Sequence, residues 1–100
     1  NSSINGLMFV GSIVIDGNKT VEVNNSDIIF SDINIAALTV LGERNLPLII
    51  NNCNFYGFVE LKHSGSGSVD VVDSRFYLED TAQKNAIIIN STSSGKNKQF

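Results

Sequence analysis

One short phrase recurs along this chain and limits what it can fold into: an apolar residue, any residue, then Asp or Asn, two more residues, and Ile or Phe. It is clearest in Ile50-Asn51-Asn52-Cys53-Asn54-Phe55 and in Val71-Val72-Asp73-Ser74-Arg75-Phe76. The opening half of the phrase also fits Val14-Ile15-Asp16, Phe30-Ser31-Asp32 and Ile88-Ile89-Asn90. The Asx residues then fall at positions 16, 32, 52, 73 and 90, separated by 16, 20, 21 and 17 residues. Such spacing is too long for a two-residue hairpin repeat, and no helical half accompanies it as a leucine-rich repeat requires. The phrase describes a strand that ends at the Asx, a sharp bend, and a new strand that starts with an inward apolar residue.

The rest of the sequence agrees with strands. Its apolar residues are mostly Ile, Val, Leu and Phe, which suit a pleated, half-buried surface. Asn5-Gly6, Asp16-Gly17-Asn18, Asn24-Asn25-Ser26-Asp27 and Ser64-Gly65-Ser66-Gly67 punctuate them as turns. No window sustains a helical period, and the best helix candidate, Glu79 to Lys84, is one turn at most. The chain is expected to be all-β. Stacking the repeats puts Asp16, Asp32, Asn52, Asp73 and Asn90 in one hydrogen-bonded Asx ladder, with Ile35, Phe55 and Phe76 as a core stack beneath the turn. A β-sandwich with strands every 8 to 12 residues is the structural alternative.

In these phrases the sequence resembles the right-handed parallel β-helix, or pectin-lyase-like, superfamily. The resemblance is strongest from Leu48 to Leu78 and implies a short solenoid of about four coils. Residues 1–12 are then expected as an N-terminal strand or cap, residues 13–93 as the coils, and residues 94–100 as a polar tail or linker. The resemblance raises the prospect of polysaccharide chemistry, but the motifs of its catalytic members are missing. Asn-Thr-Asp, Asp-Asp, Gly-His-Gly and Arg-Ile-Lys do not occur. The calcium-dependent lyase arrangement needs clustered carboxylates and an Arg base, and Arg44 and Arg75 sit in dissimilar settings.

Other chemistry is weighed residue by residue. Asp70 with Asp73, Glu60, and Glu79 with Asp80 are the carboxylates available for glycoside hydrolysis. Glu60, Lys62 and His63 form the most varied cluster and are the candidate ligand-binding residues, read as one solvated strand face with His63 at the surface. His63 is the single histidine and Cys53 the single cysteine, so no zinc framework or internal disulfide is expected; Cys53 reads as a packing residue. The run Ser64 to Asp70 lacks the double glycine of calcium-binding β-roll repeats and the Lys-Ser/Thr of a phosphate loop. No metal and no cofactor is expected.

Charge and length set the partners. Seven basic residues are scattered along a chain of net charge −3, which argues against nucleic acid. No apolar run approaches the ~20 residues of a membrane helix, so no membrane insertion is expected. Asn-x-Ser/Thr sequons at Asn1, Asn18, Asn24 and Asn90 are sites of N-glycosylation if the protein is secreted. Leu7-Met8-Phe9-Val10 is apolar without alternation, which points to self-association or to flanking coils of a longer chain. The expectation from sequence is a non-catalytic structural or adhesive module, extracellular or on a cell or virion surface, with glycans as its ligands. A fragment of a carbohydrate-active enzyme and a fibre subunit are the alternatives.

Overall fold

A computed structural model describes residues 1–78, 85–90 and 98–99, the last two as backbone only. The chain runs through thirteen short strands: β1 (Ser2–Asn5), β2 (Met8–Val10), β3 (Ile13–Asp16), β4 (Val21–Asn24), β5 (Asp27–Ile29), β6 (Leu38–Leu41), β7 (Leu48–Asn51), β8 (Asn54–Tyr56), β9 (Val59–Leu61), β10 (Val69–Val72), β11 (Arg75–Phe76), β12 (Ile87–Ile89) and β13 (Lys98–Gln99). Every pairing is parallel. The strands form three sheets, β1-β4-β7-β10-β13, β2-β5-β8-β11 and β3-β6-β9-β12, so three consecutive strands make one coil. The result is a short right-handed β-solenoid, the hand that parallel crossovers adopt almost without exception. It is not a β-sandwich.

The register fixes the repeat. Ser2 pairs with Val21, Val21 with Leu48 and Leu48 with Val69, so the first three coils are 19, 27 and 21 residues long. The differences lie in the connections. Between the second and third sheets, coil 1 uses residues 11–12 and coil 3 uses 57–58, whereas coil 2 uses the loop 30–37. Gly57 makes room for that loop: a Cβ there would lie 2.0 Å from the Phe30 carbonyl oxygen, and its φ of +149° is one that side chains avoid.

Alternation along each strand sends one row inward. The inward columns are Ile4–Val23–Ile50–Val71, Phe9–Ile28–Phe55–Phe76, Ile13–Leu38–Val59–Ile87 and Ile15–Val40–Leu61–Ile89. The residues of the middle coils in these columns are buried, and Phe55 stacks on Phe76 with centroids 5.2 Å apart. Branched and aromatic side chains repeated at 4.8 Å fill such a column without voids.

The bend between the first and second sheets carries the repeated phrase, with a different membership from that expected. Asn25, Asn52 and Asp73 all have left-handed backbone, with φ of 53°, 54° and 50°, and Gly6 matches them at 69°. Asn52 Nδ2 donates to Asn25 Oδ1 at 2.9 Å, and Asn25 Nδ2 donates to Asn5 Oδ1 at 3.0 Å. Asp16, Asp32 and Asn90 are not part of this ladder. Asp16 ends β3 in the third sheet, opposite Leu41. Asp32 sits in the coil 2 loop, where one carboxylate oxygen accepts from the Asn34 and Ile35 N–H groups at 2.7 and 3.0 Å. That Asx turn holds Ile35 outside, 52% exposed, so Ile35 is not in the core stack. Ile28 fills the place below Phe55 instead. Asn90 follows β12 and donates to Glu60 Oε2 at 2.8 Å.

Two boundaries also differ from expectation. Residues 2–10 supply two of the three strands of the first coil, in register with β4 and β5. Lys98–Gln99 pairs with Val69 and Asp70, so part of the expected tail continues the first sheet. The helix candidate at Glu79 to Lys84 lies outside the described residues.

Candidate binding face

A solenoid offers chemistry on its outward rows, because its interior is closed by packing. On the second sheet, Val10, Ile29 and Tyr56 share one outward row. Tyr77 extends it, since its N–H donates to the Phe55 carbonyl one step beyond the Phe55–Phe76 pair. Tyr56 and Tyr77 stack at 4.8 Å with planes 14° apart, and they are 38% and 47% exposed. The neighbouring row on the same face is Met8, Asp27, Asn54 and Arg75. Asn54 Nδ2 donates to Asp27 Oδ1 at 2.8 Å, while Asn54 Oδ1 accepts no hydrogen bond. The face is therefore a flat apolar and aromatic strip edged by planar polar side chains. Aromatic faces of this kind take apolar C–H surfaces and cations.

The cluster expected at Glu60, Lys62 and His63 is divided by the strand. Val59 and Leu61 point inward and Glu60 outward, half-buried. Lys62 follows outward and is exposed, but His63 continues the inward alternation and is fully buried. Ser64 bridges to Glu43 and its N–H donates to the Gly42 carbonyl, which keeps the strand alternation going through His63. His63 is thus a core residue, and only Glu60 and Lys62 face solvent together. Asp70 lies in the first sheet, opposite Ile49, while Glu60 lies in the third, opposite Thr39. The two carboxylates do not converge. Asp73 is a ladder residue of the bend, and Glu79 and Asp80 lie outside the described residues.

Beside the Asx ladder runs a second column that the sequence reading did not single out: Ser26, Cys53 and Ser74. Each donates back to the carbonyl two residues earlier: Ser26 to Asn24 at 2.8 Å, Cys53 to Asn51 at 3.4 Å and Ser74 to Val72 at 3.0 Å. The serine oxygens also accept from the coil before, Leu7 N–H at 3.1 Å and Cys53 N–H at 3.2 Å. Cys53 is fully buried. Burial pushes its thiol pKa up, hydrogen bonds at Ser26 and Asn51 oppose this, and the Asp27 charge adds to the rise. It is a wall residue with low thiolate character.

Arg44 is the largest buried side chain and lies in the turn leading from coil 2 to coil 3. Its guanidinium donates to the carbonyls of Gly17 at 2.6 Å and Lys19 at 2.7 Å, and more weakly to Leu46 and Pro47, both at 3.4 Å. Burial lowers its pKa. It ties the turn after coil 1 to the turn after coil 2 with carbonyl dipoles in place of a carboxylate. The Gly/Ser run stacks on the same turn: a Cβ at Gly65 would lie 2.3 Å from the Arg44 carbonyl oxygen.

Of the four sequons, Asn1 and Asn18 are exposed, Asn24 is half-buried and Asn90 is exposed. The Ser26 hydroxyl of the Asn24 sequon is buried in the column described above. Among the described residues, no three His, Cys, Asp or Glu side chains gather to hold a metal ion, and no helix is long and apolar enough to cross a membrane. No family model, curated protein or solved structure matches the chain. The architecture is that of β-solenoids in general.

Proposed function

We propose that the chain is a non-catalytic structural or adhesive module of a secreted, cell-surface or virion-surface protein, and that glycans bind along the outer face of its second sheet. The observation that carries this reading is the stacked Tyr56–Tyr77 pair, level with Ile29 and Val10 and flanked by Asp27, Asn54 and Arg75. Sugar rings present apolar C–H faces with hydroxyls at their edges. An aromatic strip with polar side chains along one border meets both needs. Parallel strands stacked at ~4.8 Å hold that strip flat and stiff. Self-association or flanking coils belong to the same reading, because such a module works at the end or in the middle of a rod.

Titrating the isolated chain against a panel of neutral and acidic polysaccharides tests the proposal. Binding that falls at least about tenfold in Tyr56→Ala and Tyr77→Ala, with the fold intact by circular dichroism, is the expected result. Binding unaffected by either change refutes the glycan face. A carbohydrate-active enzyme fragment would instead release sugar, and would lose that activity in Glu60→Gln; the separation of Glu60 from Asp70 on different sheets weighs against it.

A further inference from the structure

The columns that hold the solenoid together stop at the face of coil 1. β1, β2 and β3 each lie at the edge of their sheet. On the side away from coil 2, their alternate N–H and C=O groups meet no strand among the described residues. Ile4 and Ile13 are half-buried and Phe9 is 36% exposed, where the residues one coil further on, Val23, Leu38 and Ile28, are buried. Between them opens a pit of about 230 Å³, with Ile4, Ile13, Ile15 and Val21 in its walls and Asp16, Lys19 and Arg44 also lining it. Open strand edges around an apolar pit are a surface that β proteins cover.

We infer that this face is a self-association surface and that its occupant is a second copy of the chain, docked coil 1 against coil 1 about a two-fold axis. Charge complementarity selects this occupant. Asp16 and Lys19 both line the pit, and a two-fold brings Asp16 of each copy towards Lys19 of the other. The ladder is self-complementary too. It ends at Asn5, whose Oδ1 accepts from Asn25 and whose Nδ2 donates to nothing among the described residues. Two carboxamides facing each other across the axis satisfy one another.

The available area is sufficient. Five strands of the first sheet at ~4.8 Å place its end strands ~19 Å apart, matching the shortest dimension of the molecule, 21 Å. The coil face therefore spans the other two, 34 × 28 Å, comparable with the ~800 Å² per partner of a standard interface. Docking pairs the edge strands antiparallel and seats Phe9, Ile4 and Ile13 of one copy against those of the other. This inference rests on the module reading only for its context. Glycan binding through Tyr56 and Tyr77 and dimerisation through coil 1 fail or succeed separately.

Sedimentation velocity of the intact chain, from low micromolar concentration to its solubility limit, tests the inference with three variants. Asn5→Asp keeps the oxygen that accepts from Asn25 but sets two carboxylates against each other across the axis. Lys19→Glu does the same at the pit, and Lys19→Glu combined with Asp16→Lys restores opposite charges. Thermal unfolding of each variant reports whether the monomer still folds. The expected result is a wild-type dimer, weakened at least about tenfold by each single change and recovered by the double change. A monomer at every concentration overturns the inference. So does a dimer indifferent to all three variants, which would use another surface. A monomer whose β1 to β3 amides become protected only when further residues precede Asn1 would give the face to another coil of the same chain, and likewise overturns it.

Discussion

At the scale of single residues, the bend between the first two sheets carries the repeat. A left-handed backbone costs an ordinary residue roughly 1–2 kcal/mol, and Asn tolerates it while its amide bonds along the stack. Asn52 does both, at φ 54° and with Nδ2 2.9 Å from Asn25 Oδ1. Asn52→Ala loses both and is expected to lower stability by about 1–2 kcal/mol in urea unfolding, because water replaces part of the exposed amide bond. Asn52→Gly keeps the backbone and loses only the ladder, as Gly6 does naturally, so its loss is expected below about 1 kcal/mol. Equal losses in the two variants would show that the backbone conformation contributes nothing.

Cys53 separates packing from ionisation. Its neighbours in the column are serines, so a hydroxyl fits the same bonds to the Asn51 and Val23 carbonyls. Cys53→Ser is expected to cost less than about 1 kcal/mol, and Cys53→Val more, since it leaves these partners unmade. The pH dependence follows from the raised thiol pKa. The buried thiol is favoured neutral, so its contribution is complete below the unfolded pKa of ~8.5. It is lost as pH rises through the higher folded value. The wild type should therefore lose stability relative to Cys53→Ser above about pH 8.5; parallel curves through alkaline pH would contradict the buried placement.

At the scale of elements, most of the strand pattern could be read from the chain, and the register of coil 2 could not. The phrase apolar-x-[Asp/Asn]-x-x-[Ile/Phe] is correct at Asn52 and Asp73. It also fits Val23-Asn24-Asn25-Ser26-Asp27-Ile28, and Ile4-Asn5-Gly6-Leu7-Met8-Phe9 with Gly in the Asx place. Coil 2 was obscured because its loop, residues 30–37, contains a decoy. Phe30-Ser31-Asp32-Ile33-Asn34-Ile35 repeats the phrase by composition, yet Asp32 there closes a local Asx turn and Ile35 stays in solvent. Even spacing was the wrong criterion, since solenoid coils absorb length in their connections without disturbing the strands. His63 was misjudged for a related reason. Alternation counted from Val59 and Leu61 places it inward, but a polar residue beside Lys62 and a Gly/Ser run reads as a strand end.

Arg44 belongs at this scale too, because it joins two turns rather than filling a hole. Nothing in its local sequence marks it, as its acceptors are backbone carbonyls 25 and 27 residues away. Arg44→Met keeps most of the volume and removes the charge-assisted bonds. The expected loss is about 2–3 kcal/mol in denaturant unfolding, with Arg44→Lys intermediate. A neutral Arg44→Met would mean that water satisfies those carbonyls equally well.

At the scale of the whole molecule, three parallel sheets place every side chain in a column one coil deep, and the columns decide what each face can do. The inward ones close the core. The outward row of the second sheet gathers Tyr56 and Tyr77, which lie 21 residues apart in sequence, into one stacked strip. The first coil leaves the same columns open, and its exposed Leu7, Met8, Phe9 and Val10 follow from that position. In the sequence this run could be seen as unusual, but its place at the end of a solenoid required the register.

That register is the central claim, and proton NOE spectroscopy of the labelled wild-type chain reads it most directly. The account predicts contacts from the Asn52 side-chain amide to Asn25, and from the Phe55 ring to both Ile28 and Phe76. Contacts from Asp32 to Asn52 and from Ile35 to Phe55, in place of these, would contradict it.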